Sequence, residues 1–203
     1  MIKGVVFDFG GVITRYPVPE DYEPALSRCG LTWNALMKGF TAHRAGFDHD
    51  EYDGAEMYRR ILTDNQLPFD NALLAELAVL DSKSWTHANP ATYALMKQLK
   101  ADGKKVGILT NMSSDFAENY FFPCFGEHLA LADAVVVSSA VGVIKPDPKI
   151  YAIMCERIGL APSELLFTDD LEGNCDGARA CGWNAVRFTT ADEVAKFAKN
   201  PVF

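Results

Sequence analysis

Apolar and polar positions along this chain follow two rhythms, and the places where one gives way to the other divide it. The opening run Val5-Val6-Phe7-Asp8-Phe9-Gly10-Gly11-Val12 is apolar except for one acid and two glycines. It reads as a buried strand that delivers a carboxylate to a flexible turn. After Val12-Ile13, with Pro17, Pro19 and Asp21 marking the entry, the pattern turns helical, with stretches near 20–28, 32–44, 51–65 and 70–80. Their apolar positions, such as Leu36, Met37 and Phe40, then Met57, Tyr58, Ile61 and Leu62, recur at three and four, the spacing of helices packed on one another. From about Pro90 short apolar runs alternate with helical ones: helix 91–102, strand 104–110, helix 114–122, strand 134–137, helix 147–158, strand 164–168, helix 173–181, strand 184–188 and helix 191–199. Alternation of this kind predicts an α/β fold, a Rossmann-like parallel sheet joined by right-handed crossovers. The expected division is a core domain of residues 1–14 and 89–203 and a small helical cap domain of residues 15–88, lying over one rim of the sheet.

Composition narrows the function classes. At 203 residues and 49% hydrophobic content the chain can bury one sizeable core plus a modest insertion. With 27 acidic against 19 basic residues the net charge is -8, and no Lys/Arg cluster beyond the pair Lys104-Lys105 offers a basic stripe, so no nucleic-acid partner is expected. The first residues already belong to a strand, without a charged leader followed by an apolar segment, and no apolar run approaches the roughly 18 residues that span a bilayer. The expectation is a cytoplasmic protein with no membrane partner, a monomer or homodimer. Its cysteines, Cys29, Cys124, Cys155, Cys175 and Cys181, form no C-x-x-C pair and are odd in number, and read as buried thiols rather than ligands or a disulfide framework.

Four segments carry the candidate chemistry. Besides Asp8, the strand Lys104 to Leu109 ends in Thr110-Asn111-Met112-Ser113, Ile144-Lys145-Pro146-Asp147-Pro148 opens a helix, and Leu165 to Phe167 ends in Thr168-Asp169-Asp170. In an open parallel sheet the carboxyl ends of strands share one rim, which is where ligands bind. That rim would hold a nucleophilic carboxylate, a hydroxyl donor, a cation and a carboxylate pair. Phosphoryl transfer to an aspartate brings an anionic nucleophile to an anionic substrate, so the site must supply positive charge. Lys145 is one source, bridging Asp8 and the phosphate. A metal is the other, since Asp8, Asp169 and Asp170 are hard oxygen ligands suited to Mg²⁺.

In this order, from Asp8 to Gly182, the four segments resemble the four motifs of the haloacid dehalogenase superfamily. Asp169-Asp170 is followed by Asn174, Gly177 and Ala178, and Lys145 by Pro146, Pro148, Ile150 and Tyr151, as in that superfamily. The chain most resembles members with a helical cap inserted after the first motif, including bacterial sugar-1-phosphate phosphatases with an Asp-x-Gly opening. The resemblance implies Asp169 as a direct Mg²⁺ ligand, Asp170 as an orienter of water or a support just behind the direct ligands, and Gly10 as a ligand through its backbone carbonyl. It also implies that Thr110 and the Asn111 backbone N–H donate to the transferring phosphoryl oxygens.

Gly10 departs from the usual phosphatase pattern, which has a second Asp there to protonate the leaving group and activate water. General acid-base help is typically worth about 10²- to 10⁴-fold. Its absence predicts a preference for good leaving groups: anomeric sugar phosphates, acyl phosphates or aryl phosphates. A cap residue, His43, His49 or His87 among them, or a bound water could carry the proton instead, Arg15 could meet the substrate as the cap closes, and Tyr16, Trp33, Phe40, Phe47 and Trp85 could line an apolar wall. The leading expectation is an Mg²⁺-dependent phosphatase of small phosphorylated metabolites acting through an aspartyl-phosphate on Asp8. The rivals are a 2-haloacid dehalogenase, whose relatives also lack the second Asp, and a non-catalytic metal- or phosphate-binding module.

Overall fold

A computed structural model of the protein describes residues 1–199. Five strands, β1 (Gly4–Phe7), β2 (Lys105–Thr110), β3 (Ala134–Val137), β4 (Leu165–Asp169) and β5 (Asn184–Arg187), form one sheet in the order β3-β2-β1-β4-β5, every pair parallel. The chain winds from β1 through β2 to β3, then returns to the other side of β1 for β4 and β5. The strand order therefore reverses between β1 and β4, and such a switch point opens a crevice at the carboxyl ends of the strands.

Alternation along each strand sends side chains to two apolar layers. Val5, Phe7, Val106, Ile108 and Leu166 pack against the helices Pro90–Ala101 and Ala191–Lys199 through Met96, Leu99 and Val194. Val6, Leu109, Leu165 and Phe167 pack on the other face against Pro148–Ile158 and Glu172–Ala180 through Ile150, Tyr151, Met154 and Ala178.

Between β1 and the helix Pro90–Ala101 the chain forms four α-helices, α1 (Ala25–Cys29), α2 (Trp33–Asp48), α3 (Gly54–Asp64) and α4 (Asn71–Ser84). Thr32, Asp53 and Asp70 start the last three by accepting the N–H of Ala35, Glu56 and Leu73, the usual work of an N-cap oxygen. They enclose an apolar cluster of their own, including Tyr22, Leu36, Tyr58, Ile61 and Leu77. The chain leaves the sheet body and returns to it side by side: Thr14 and Ala88 form an antiparallel bridge, and Asn89 N–H donates to Ile13 O at 2.7 Å.

The elements differ from expectation in several places, each with a local cause. The opening strand ends at Phe7, because the Phe9 carbonyl accepts N–H groups from Val12, Ile13 and Thr14 and curls the chain into a turn with Gly11 at φ +72. Pro24 separates α1 from a 3-10 turn at Pro19–Asp21, so the helix expected over 20–28 is shorter. α2 and α4 run four residues past their expected ends, to Asp48 and Ser84. The helix expected over 114–122 is interrupted by a π-helical turn at Ala117–Phe121, which aims Phe116, Phe121 and Phe125 at the Phe9 ring. Short helices at Gly126–Leu131 and Ser138–Val141 carry too few residues to show a periodicity. All five cysteines are free, but Cys124 is exposed and Cys155 and Cys181 are half-buried, so only Cys29 and Cys175 are the buried thiols expected.

Candidate active site

The register places the chemistry. Phe7 lies opposite Ile108 on one side and Thr168 on the other, and Asp8 N–H continues the ladder to Thr168 O at 2.9 Å. One step further along each strand, Asp8 stands beside Asp169 across the switch point, with Thr110 at the end of β2. A cavity of ≈ 410 Å³ opens there, between the sheet rim and α2. Asp8, Gly10, Thr110, Asn111, Lys145, Asp170 and Asn174 line its floor, and Asp169 lies beneath with no exposed surface.

Lys145 sits at the centre of this floor. Its ammonium has three N–H bonds and three acceptors: Asp8 Oδ1 at 2.6 Å, Asp169 Oδ2 at 2.6 Å and Leu109 O at 3.1 Å. The lysine thus ties the two carboxylates together. Both ion pairs are buried, with side-chain exposures of 1% for Lys145, 11% for Asp8 and 0% for Asp169. Burial pushes the Asp8 carboxyl well above the usual range, Asp169 adds to that, and Lys145 opposes it. The two carboxylates hold Lys145 above its ordinary value against the effect of burial.

Two asparagines fix this arrangement. The Asn111 side chain accepts from Lys145 N–H at 2.7 Å and donates to Lys145 O at 3.0 Å, so it holds the backbone from which the lysine reaches inward. Asn174, in the first turn of Glu172–Ala180, donates through Nδ2 to both oxygens of Asp169, at 3.0 and 3.1 Å. Leu171 N–H completes the set at Asp169 Oδ1, 2.9 Å away. Both Asp169 oxygens are therefore engaged by protein donors. The Asn111 side-chain role left no signal in a spacing argument, whereas Asn174 was legible only as part of the resemblance: five residues after Asp169, it returns on the first helical turn.

Asp170 faces the cavity and accepts from the Tyr16 hydroxyl. Tyr16 reaches it by lying across Gly11, where an added Cβ would stand 2.7 Å from its ring. Thr110 donates only to Asn111 O, at 3.3 Å. Asp8, Asp169 and Asp170 each offer an oxygen within 4.8 Å of the others.

The roof comes from the helices. Met37, Phe40, Thr41, Arg44 and Asp48 of α2 line it, with Trp85 just after α4. Tyr16, Phe40 and Trp85 thus do form an apolar wall, while Phe47 is buried and Trp33 packs within the helical cluster. Trp85 stands over Gly10, where a Cβ would meet its ring at 3.2 Å. Arg44, placed by helical spacing that sequence reasoning passed over, donates to Asp48 Oδ1 at 3.1 Å and Asp81 Oδ2 at 3.2 Å beneath the Trp85 ring.

The histidines are elsewhere. His43 pairs with Asp64 at 2.7 Å, His87 lies 3.6 Å from Asp21, His49 follows α2, and none of the three lines the cavity. Arg15 is committed to Asp21 by two contacts of 2.8 Å and steadies the segment after the turn.

The fold and site define an α/β protein with a parallel sheet whose switch point holds a buried carboxylate tied to a lysine, beneath a helical roof. The chain matches the haloacid dehalogenase-like hydrolases over residues 2–182, and it belongs to that family. It is 28% identical over 193 residues to phosphatase MT3486 of Mycobacterium tuberculosis, covering 91% of this chain and 86% of that protein. It is 26% identical over 123 residues to (S)-2-haloacid dehalogenase 1 of a Pseudomonas species, covering 61% of this chain and 53% of that one. Among solved structures, a dehalogenase matches with a TM-score of 0.77 at 18% identity, over 97% of this chain and 96% of the other. A family enzyme from Bacteroides thetaiotaomicron in complex with magnesium and inorganic phosphate matches with a TM-score of 0.66 at 17% identity, over 94% and 96%. At these identities the two structures speak for the fold.

Proposed function

We propose that this protein is a magnesium-dependent phosphatase of small phosphorylated metabolites, sugar 1-phosphates among them, working through an aspartyl-phosphate on Asp8 with residues 15–88 as its cap. The observation that carries the reading is the charge of the buried floor. Three carboxylates gather around one ammonium, Lys145: Asp8 and Asp169 are buried with it and Asp170 faces the cavity, an excess of two negative charges when all three are ionised. A divalent cation held by hard oxygens would neutralise that excess, so the donor set fits Mg²⁺. Asp8, Asp169 and Asp170 would hold it, with the Gly10 carbonyl as a further oxygen. When bound, the ion supplies positive charge against the transferring phosphoryl oxygens.

The protein's own groups do the rest. Lys145 holds Asp8 Oδ1 and leaves the other oxygen to attack phosphorus. As that bond forms, the ester P–O bond breaks and its electron pair goes to the leaving oxygen. Water then attacks the same phosphorus, releasing inorganic phosphate and the Asp8 carboxylate. Thr110 and the Asn111 N–H, at the end of β2, meet the phosphoryl oxygens. The aromatic wall limits access of bulk water, and the cavity volume restricts the substrate to a small molecule. We place the protein in the cytoplasm, with a metabolite rather than nucleic acid or membrane as its partner. Among the described residues no helix is long and apolar enough to cross a membrane.

A phosphatase relative that aligns over most of the chain supports this reading, as does a similar fold in complex with magnesium and phosphate. Dehalogenation is the second reading, favoured by the dehalogenase relatives and folds. Displacement of halide from carbon has no use for an excess of buried carboxylates, which weighs against it. The test is a screen of sugar 1-phosphates, sugar 6-phosphates, acyl and aryl phosphates with and without Mg²⁺, with Asp8→Asn as control. Turnover that needs Mg²⁺ and disappears in Asp8→Asn is the expected result. Halide release from 2-chloropropionate without metal, in place of phosphate release, would sink the reading. So would Mg²⁺ binding with no turnover of any kind, which would make the protein a binding module.

A further inference from the structure

Position 10 has no carboxyl, and a Cβ there would stand 3.2 Å from the Trp85 ring, which would have to shift to admit one. The opposite wall of the cavity does carry one. Asp48, the last residue of α2, lines the same space as Asp8, Gly10 and Lys145, with its side chain 13% exposed.

Its position is fixed from two directions. Within the helix, Arg44 Nε donates to Asp48 Oδ1 and leaves Oδ2 without a partner among the described hydrogen bonds. Beyond the helix end, Ser138 Oγ donates to the Asp48 carbonyl at 3.5 Å and Ser114 N–H donates to Asp50 Oδ1 at 2.9 Å. These two contacts seat the end of α2 on the short helix after β3 and on the segment after β2, three residues beyond Asn111.

We propose that Asp48 is the acid and base of this site, supplied by the cap in place of the carboxyl absent at position 10. It gives its proton to the ester oxygen as the P–O bond of the substrate breaks, and the leaving group departs as an alcohol. As a carboxylate it then takes a proton from the water that attacks the phosphoryl group on Asp8, which restores the acid. The proposal rests on the phosphatase reading above.

The surroundings suit the task. Burial is the largest influence on Asp48 and raises it to about 6, Asp81 of α4 adds to the rise, and Arg44 and Lys145 across the cavity oppose it. A group that titrates near working pH can both give and take a proton. The chemical consequence concerns substrate class. With Asp48 in place, esters of ordinary alcohols, whose oxygens leave poorly without a proton, are substrates alongside the anomeric and aryl phosphates that Gly10 alone would favour.

The experiment compares kcat/KM for an alkyl phosphate such as glycerol 3-phosphate with that for p-nitrophenyl phosphate, in the wild type, Asp48→Asn and Asp48→Glu. The alkyl-to-aryl ratio should fall about 10²-fold in Asp48→Asn and recover in part in Asp48→Glu. The decline of alkyl kcat/KM above about pH 6 in the wild type should flatten in Asp48→Asn. A ratio and pH profile unchanged in Asp48→Asn overturn the assignment while the phosphatase reading stands. A wild type that hydrolyses neither ester removes the phosphatase reading and this one with it. Far-ultraviolet circular dichroism of each variant separates loss of chemistry from loss of fold.

Discussion

Lys145 shows how one side chain can be both structural and chemical. Two of its donors go to carboxylates that could not otherwise share a buried floor, and the third goes to the Leu109 carbonyl. Removing one partner of a buried ion pair leaves an uncompensated charge, which costs about 3–5 kcal/mol. Lys145→Met is therefore expected to lower unfolding free energy by about that amount in metal-free buffer, read from urea melts, besides abolishing turnover. A loss below about 1 kcal/mol would mean that the floor tolerates the bare carboxylates and that the ion pair matters little to the fold. Asp8, Thr110, Lys145, Asp169 and Asp170 were legible in the sequence because each sits at a strand end or before a helix, where polarity breaks an apolar run. The supporting contacts were less so. Asn111 was read for its backbone N–H and not for its side-chain hold on Lys145, Asn174 came only with the resemblance, Tyr16 only as part of an apolar wall and Asp48 not at all, because each acts through contacts with residues distant in sequence or one helical turn away.

At the level of elements, the loop that presents Lys145 is wedged between strands and helices with little slack. Gly177, in the helix after β4, faces it at close range: a Cβ there would lie 2.6 Å from Pro146 Cβ, 3.0 Å from the Tyr151 hydroxyl and 3.1 Å from Pro146 O. None of these can swing away as a long side chain would. Gly177→Ala should cost about 1–3 kcal/mol by overpacking and shift the backbone of Lys145-Pro146, so that kcat falls more than KM changes. A thermal melt and a kcat measurement on the same preparation check both parts, and an alanine variant with wild-type values in both would show that the loop has freedom to move. The five strands were readable in order because each is a short apolar run bounded by polar residues. The exact ends were less so. Phe9 extends the apolar pattern of β1, yet its carbonyl serves three N–H groups of a turn, a contest between pattern and local hydrogen bonding that periodicity cannot decide. The π-helical turn at Ala117–Phe121 escaped for a similar reason, since it answers to the packing of Phe9 rather than to its own sequence.

For the molecule as a whole, a metal held on the acidic floor would be coupled to stability. Anything that binds the folded state and not the unfolded chain stabilises it in proportion to the logarithm of its free concentration. Added Mg²⁺ should raise the melting temperature progressively through and beyond its dissociation constant, EDTA should reverse the rise, and Asp170→Asn should blunt it. A melting temperature indifferent to Mg²⁺ up to 10 mM, on the order of a hundred times a sub-millimolar dissociation constant, would remove the metal from the site. The overall net charge of -8 does not by itself predict this, because most of those carboxylates are spread over the surface. One feature of the fold reaches further. The helical segment departs and returns through neighbouring residues, Thr14 and Ala88, already paired across a bridge. To the sheet, the 73 residues between them amount to one long hairpin loop whose ends are pinned together. A chain built this way can exchange the whole insert for another of different size and retain its buried Asp8–Lys145–Asp169 floor, so that a new roof is reached by replacing a module rather than by rebuilding the sheet rim.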